Sequence, residues 1–208
     1  MTPGPDLIRK GSDALEVSID DGTAAALWTL VERLLRWNRK INLVGPCDAT
    51  QAIDRHVHDG LGMLRLLDDE DVRAVATEWT DVGAGAGLPG LVLAIARPSL
   101  RLRLVEPIGK KVAFMRDIAT SLDLTGVAVI QSRLEALGPG SAPGAMSRAT
   151  FPPIEWVERA RDLVVPGGLI AVSMGGDPVE AVVEEAWRVD RFKLPISGAG
   201  RTTALVRR

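Results

Sequence analysis

Residues Asp81 to Gly90 read Asp-Val-Gly-Ala-Gly-Ala-Gly-Leu-Pro-Gly. Gly83, Gly85 and Gly87, with small Ala84 among them, let a backbone turn sharply and approach a ligand with no Cβ in the way. Asp81-Val82 closes an apolar-tending run from Val75, so the glycines lie where a strand gives way to a helix. Pro89 suits the first turn of that helix, where its missing N–H costs nothing. A helix N-terminus beside a glycine turn offers free N–H donors and the positive end of a dipole. This order of residue types predicts a nucleotide-type cofactor site.

Two cofactor classes fit the turn. Gly85 to Gly90 satisfies the dinucleotide pattern G-x-G-x-x-G, a weak signal by itself. Asp81, two residues before Gly83, makes the string D-x-G-x-G-x-G, an arrangement typical of S-adenosylmethionine enzymes, whose cofactor has no pyrophosphate to lay on the helix. Glu106 ends the run Leu100–Val105 about twenty residues beyond the glycines, where an acid accepts hydrogen bonds from a ribose in either class. Pro46-Cys47 lies ahead of the turn, outside the region a cysteine nucleophile would need, and reads as a small residue of the N-terminal part. Phe151-Pro152-Pro153-Ile154 lacks the polar first and aromatic last residue of an amino-group methylation motif, so its prolines read as a helix start.

The elements that must position these residues follow from periodicity. Asp20, Asp21 and Thr23 are cap candidates ahead of the stripe Leu27, Leu30, Val31, Leu34 and Leu35. Asp48 or Thr50 begins a second helix running through His56 to about Leu67, and the acidic run Asp68–Asp71 reads as a solvated turn. From Val75 strand and helix patterns alternate, the signature of a parallel sheet covered on both faces. Strands are expected at Val75–Val82, Leu100–Glu106, Val127–Gln131, Ala145–Arg148 and Gly168–Met174, with Gly138–Gly144 a flexible loop. Helices are expected at Pro89–Ala96, Lys110–Leu122, Pro153–Val164 and Pro178–Trp187, and Val189–Leu194 with Thr202–Val206 as an antiparallel hairpin on the sheet edge.

Composition narrows the class. The 208 residues are 46% hydrophobic and 25% charged, enough for one α/β domain with an extension. No run approaches the roughly 18 consecutive apolar residues of a membrane span, and the first residues lack a secretory pattern; a cytoplasmic protein with no membrane partner is expected. A net charge of −2 argues against coating nucleic acid by bulk electrostatics, though not against a local basic patch. Two histidines and the single Cys47 argue against a metal centre, and none is expected.

Several strings together resemble one family. They are Trp37-Asn38-Arg39-Lys40-Ile41-Asn42-Leu43, Arg55-His56 with Asp59, the decapeptide Asp81–Gly90, Ile95-Ala96-Arg97-Pro98, Gly109-Lys110-Lys111-Val112 with Phe114 and Arg116, Gln131-Ser132-Arg133-Leu134-Glu135, and Ser147-Arg148-Ala149. In order and spacing, from about residue 25 to 175, they resemble the bacterial guanine-N7 methyltransferases of small-subunit (16S) ribosomal RNA, the RsmG or glucose-inhibited division protein B family. The resemblance implies an α/β, Rossmann-like, S-adenosylmethionine-dependent methyltransferase fold. Its sheet would be mostly parallel and seven-stranded (73–208), behind a helical N-terminal cap (1–72).

By position it implies cofactor contacts from Gly83, Ala84, Gly85, Gly87 and Leu88, ribose binding by Glu106, and adenine flanked by Leu134 and Glu135. Arg148 would lie near both cofactor and target base, as the catalytic residue. His56 and Asp59 would belong to the cap over the cleft mouth. Arg39, Lys40, His56, Lys110 and Lys111 would meet the RNA, with Arg33 and Arg36 as further rim candidates. The implied partner is 16S ribosomal RNA, as a small subunit or an assembly intermediate, acted on by a monomer. The chain departs from the family pattern at Val44, where a threonine is usual, near Pro143, where an acid is usual, and at Met174, where a lysine is usual. The lost lysine favours one alternative, methyl transfer to another RNA or a small molecule; a second is a noncatalytic homologue that binds S-adenosylmethionine or RNA.

Overall fold

The structure, a computed structural model, describes residues 2–208. Its centre is a sheet of β1 (Glu78–Val82), β2 (Arg101–Val105), β3 (Val127–Ile130), β4 (Ala142–Ser147), β5 (Val164–Gly175), β6 (Arg188–Lys193) and β7 (Gly200–Arg207). The order is β3-β2-β1-β4-β5-β7-β6. β3, β2, β1, β4 and β5 run parallel, and β7 lies antiparallel between β5 and the edge strand β6. The C-terminal ends of β1 to β4 therefore share one edge. The order reverses between β1 and β4, the point at which open α/β sheets bind ligands.

An N-terminal helical layer precedes the sheet: α1 (Pro5–Ala14), α2 (Asp21–Asn38), α3 (Ala49–Ala52), a π-helical turn at Ile53–His58 and α4 (Asp59–Leu67). Asp20 caps α2 by accepting from the Thr23 N–H at 2.7 Å. Asp48 and Gln51 form a reciprocal capping box on α3. Asn38 accepts from the Leu43 and Val44 N–H groups at 2.8 and 3.0 Å, which closes the turn after α2. After α5 (Glu70–Val75), the sheet helices are α6 (Gly90–Ala96), α7 (Gly109–Ser121), α8 (Pro153–Leu163) and the short α9 (Glu180–Glu185). One apolar cluster runs from Leu7 and Ile8 of α1 through α2, α4, α6 and α7 to Leu205 of β7. The expected 72/73 boundary falls inside α5.

Several boundaries differ from expectation, each for a visible reason. The acidic run is not a solvated turn. Asp69 caps α5 and pairs with Arg188, Asp71 also pairs with Arg188, and Asp68 pairs with Arg97 and Arg73. β1 accordingly starts at Glu78, because Val75 belongs to α5. Residues 142–144 are strand and not loop, and a Cβ at Gly144 would meet the Trp79 ring at 2.8 Å. α9 keeps only six of the residues expected between Pro178 and Trp187. Arg148 lies one residue past β4. The prolines do start α8, and the Trp156 beneath them stacks on Phe151 with ring centroids 5.9 Å apart. Trp37 packs edge-on against Phe114 at 5.6 Å, as a structural tryptophan.

Candidate active site

Gly83, Gly85 and Gly87 all hold positive φ, at 69°, 62° and 75°. Their surroundings differ. A Cβ at Gly87 would strike Leu91 at 2.5 Å and one at Gly83 would strike Thr150 at 2.5 Å, whereas one at Gly85 would meet only the Gly83 carbonyl oxygen, at an ordinary 3.9 Å. Gly85 is thus the glycine a ligand can approach, and Leu88 is buried.

Most of the donors expected to be free are occupied. The Gly83 and Ala84 N–H groups both reach the Val105 carbonyl, at 2.9 and 3.0 Å, and those of Gly87 and Leu88 reach Ala84, at 2.8 and 3.2 Å. The Gly85 N–H donates to Glu106 Oε2 at 2.9 Å. At the start of α6 the Gly90 N–H donates to Asp81 Oδ2 at 3.2 Å. Pro89 sits at the cap rather than in the first turn, and every residue of α6 is buried. A pyrophosphate on this helix end would have to displace a carboxylate, so the geometry disfavours a dinucleotide. Burial pushes Asp81 up to about 7 against the pull of the Gly90 N–H and Arg148, with Glu106 adding to the rise.

A ribose acid fits. Glu106 is buried at the end of β2, and its Oε1 accepts from the Ile108 N–H at 2.9 Å. Each oxygen keeps a lone pair for a hydroxyl. Ile108 is 43% exposed beside that carboxylate. Sequence reading passed over it; an apolar residue two positions beyond the acid was the available signal. Leu134 is half-buried in a 3₁₀ turn (Leu134–Ala136) after β3, and exposed Glu135 turns its carboxylate to Arg159 at 3.3 Å.

β4 brings Arg148 to the same edge. The Ser147 hydroxyl donates to the Val82 carbonyl at 2.9 Å and that of Thr150 to the Gly83 carbonyl at 3.1 Å. These two stitches hold the segment against the glycine turn. Between them Ala149 adopts φ 57°, a left-handed conformation that costs an alanine about 1–2 kcal/mol. Arg148 Nη1 donates to Asp59 Oδ2 at 2.6 Å and to the Arg55 carbonyl at 3.1 Å, and Nη2 lies 3.2 Å from His56 Nδ1. Burial, then Arg148 and Arg55, push His56 down to about 4, so its neutral ring accepts from Arg148. Arg201 Nε donates to the other oxygen of Asp59 at 3.0 Å. These groups line a cleft of about 560 Å³ together with Phe151, Met174 and Asp177.

The remaining basic candidates are spread out. Lys110 is exposed and Lys111 half-buried at the start of α7, close after Glu106. Arg39 and Lys40 are exposed after α2, where Lys40 shares a separate cavity with Arg36, Trp37 and Ile41. Arg33 is neutralised by Asp117 at 2.9 Å. Among the described residues, no group of three or more His, Cys, Asp or Glu could hold a metal ion, and no helix is long and apolar enough to cross a membrane.

The strand order, with an acid just after β2 bonded to the glycine turn after β1, defines the class: a Rossmann-like methyltransferase. Solved structures share the fold along nearly the whole chain. An O-methyltransferase from Bacillus cereus, in complex with SAH, is 17% identical and covers 97% of each chain, with a TM-score of 0.56. A methyltransferase from Geobacter sulfurreducens is 16% identical over 97% of this chain and 96% of its own, at 0.55. The family is narrower. The model of GidB, rRNA small subunit methyltransferase G, matches residues 23–192, and the chain belongs to that family. Relatives named ribosomal RNA small subunit methyltransferase G include one from Anaeromyxobacter sp., 34% identical over 95% of this chain and 94% of its own. Another, from Halorhodospira halophila, is 36% identical over 90% and 88%. The protein is an S-adenosylmethionine-dependent methyltransferase.

Proposed function

We propose that the protein transfers a methyl group from S-adenosylmethionine to N7 of a guanine in small-subunit (16S) ribosomal RNA. When bound, S-adenosylmethionine supplies an electrophilic methyl group on a sulfonium. In this reading Glu106 holds the ribose hydroxyls, Gly85 gives the ligand its close approach, and Ile108 and Leu134 offer apolar contact to the adenine. Glu135 lends its backbone rather than its carboxylate, which faces Arg159. Arg148 meets the acceptor base, and Lys110, Lys111, Arg39 and Lys40 meet RNA phosphates. His56 serves by supporting Arg148.

One observation carries the reading: Arg148 is stitched beside the glycine turn at the mouth of a cleft in which, among the described residues, no buried side chain is poised as a general base, the one unengaged carboxylate there being exposed Asp177. His56 Nδ1 faces a guanidinium, Asp59 is held by two arginines, and Asp81 is buried behind the turn. Guanine N7 has a lone pair and no proton, so it needs none. What the chain supplies is placement of the base and an electrostatic setting for the charge it acquires. The proposed setting is the cytoplasm, with the small subunit or an assembly intermediate as partner and the protein acting as a monomer.

The test is radiolabelled methyl transfer to small-subunit RNA from a strain lacking this modification, followed by mapping of the modified base. Label on one guanine at N7 is expected. Label on another atom or another RNA, or none with S-adenosylhomocysteine binding intact, overturns the reading. Arg148→Ala should lower transfer at least a hundredfold while the protein remains folded.

A further inference from the structure

We infer that Asp59 positions Arg148 and Arg201 as a pair, and that Arg201 is the second cation of the RNA site, serving a backbone phosphate of the acceptor nucleotide. The inference rests on the RNA reading above. Three distant segments meet here: the start of α4, the residue after β4 and the second residue of β7. Each oxygen of the buried Asp59 carboxylate takes one arginine, Oδ2 at 2.6 Å from Arg148 and Oδ1 at 3.0 Å from Arg201.

A latch built only to fasten the helical layer to the sheet would balance its charges, since a buried ion pair contributes little once desolvation is counted. This one has two cations on one anion. Neutral His56 adds no charge, and the cleft's other carboxylate, Asp177, is exposed and bonded to neither arginine. Among the described residues, nothing accepts from Arg148 Nε or Arg201 Nη2. The surplus positive charge and its unused donors line the 560 Å³ cleft, where a forked guanidinium suits phosphate oxygens.

Position strengthens the assignment. Arg201 pairs with Gly175 across β5 and β7, next to Met174, the position where a lysine was expected.

The test measures the full chain and its Arg201→Ala, Arg201→Lys and Asp59→Asn variants in three ways: anisotropy with a fluorescent small-subunit RNA fragment at several salt concentrations, steady-state methyl transfer, and calorimetry with S-adenosylhomocysteine. Arg201→Ala should weaken RNA binding about tenfold and flatten the slope of log K against log salt by about one. Affinity for S-adenosylhomocysteine should stay within twofold, and Arg201→Lys should recover part of the RNA binding. Asp59→Asn should lower kcat more than it raises KM, and should cost less in an Arg201→Ala background than alone. An unchanged salt slope in Arg201→Ala, with the unsubstituted protein active, overturns this inference and leaves the proposed function standing. So does an Asp59→Asn defect that merely follows lost stability. No RNA binding or transfer by the unsubstituted protein overturns both.

Discussion

A methyl group added at Gly85 or at Gly90 meets different surroundings, though the two residues share one turn. At Gly85 it meets only the Gly83 carbonyl oxygen, at 3.9 Å, at a φ of 62°. Gly85→Ala should cost about 1–2 kcal/mol in backbone strain, leave the fold cooperative and weaken S-adenosylhomocysteine binding at least tenfold. At Gly90 it lands 2.3 Å from Leu104 Cδ2 and 3.0 Å from Asp81 Oδ2. Gly90→Ala should instead cost about 1–3 kcal/mol through overpacking, with a smaller effect on the affinity of the folded fraction. Urea denaturation and calorimetry on both variants separate the two outcomes. Asp81 has its own signature in pH. Its carboxyl is raised to about 7 by burial, so its contribution to stability is greatest at low pH and is lost as pH rises toward 7. His56 and His58 are pushed down by burial, so theirs is full above 6.5 and lost as pH falls, through about 4 for His56. The effects oppose one another between these limits. Asp81→Asn should therefore make stability rise with pH more steeply, by up to about 1.4 kcal/mol per unit. An unchanged slope in urea titrations would mean that Asp81 is ionised in the folded state.

At the scale of elements, the acidic stretch after α4 shows how local composition misleads. Four acids in a row suggest a solvated turn, yet Asp69 accepts from the Asp71 and Val72 N–H groups at 3.0 and 3.4 Å and so starts α5. Arg188, at the start of β6, closes over Asp69 and Asp71. Asp69→Ala should lower the urea midpoint, as a lost cap plus a lost partner. Glu70→Ala, at an exposed neighbour, should stay within about 0.5 kcal/mol. Equal urea midpoints for the two variants would deny α5 its cap. The π-helical turn before α4 is a second such element. It brings the Arg55 carbonyl, His56 and Asp59 together around Arg148.

For the whole molecule, the apolar cluster from Leu7 to Leu205 makes the helical layer part of the same core as the sheet. Unfolding in urea should give one transition, coincident by tryptophan fluorescence and by far-ultraviolet circular dichroism. Two separated transitions would make the helical layer an independent unit. The net charge of −2 gives the molecule no general attraction for RNA, so binding rests on local cations such as Arg148, Arg201, Lys110 and Lys111.

The features legible in the sequence were those whose cause is local. The glycine turn needs positive φ, Asp20 and Asp48 cap the helices that follow them, and Pro152-Pro153 begins α8. The alternation of strands and helices determined a parallel sheet, and with it the shared edge of Gly85, Glu106 and Arg148. Tertiary structure alone decided which groups are spent. Glu106 takes the Gly85 N–H and Asp81 that of Gly90, so most of the turn's donors are already spent. Asp59 meets Arg148 and Arg201 across 89 and 142 residues. A charge finds its partner through the packing of whole elements, and no periodicity along the chain records that.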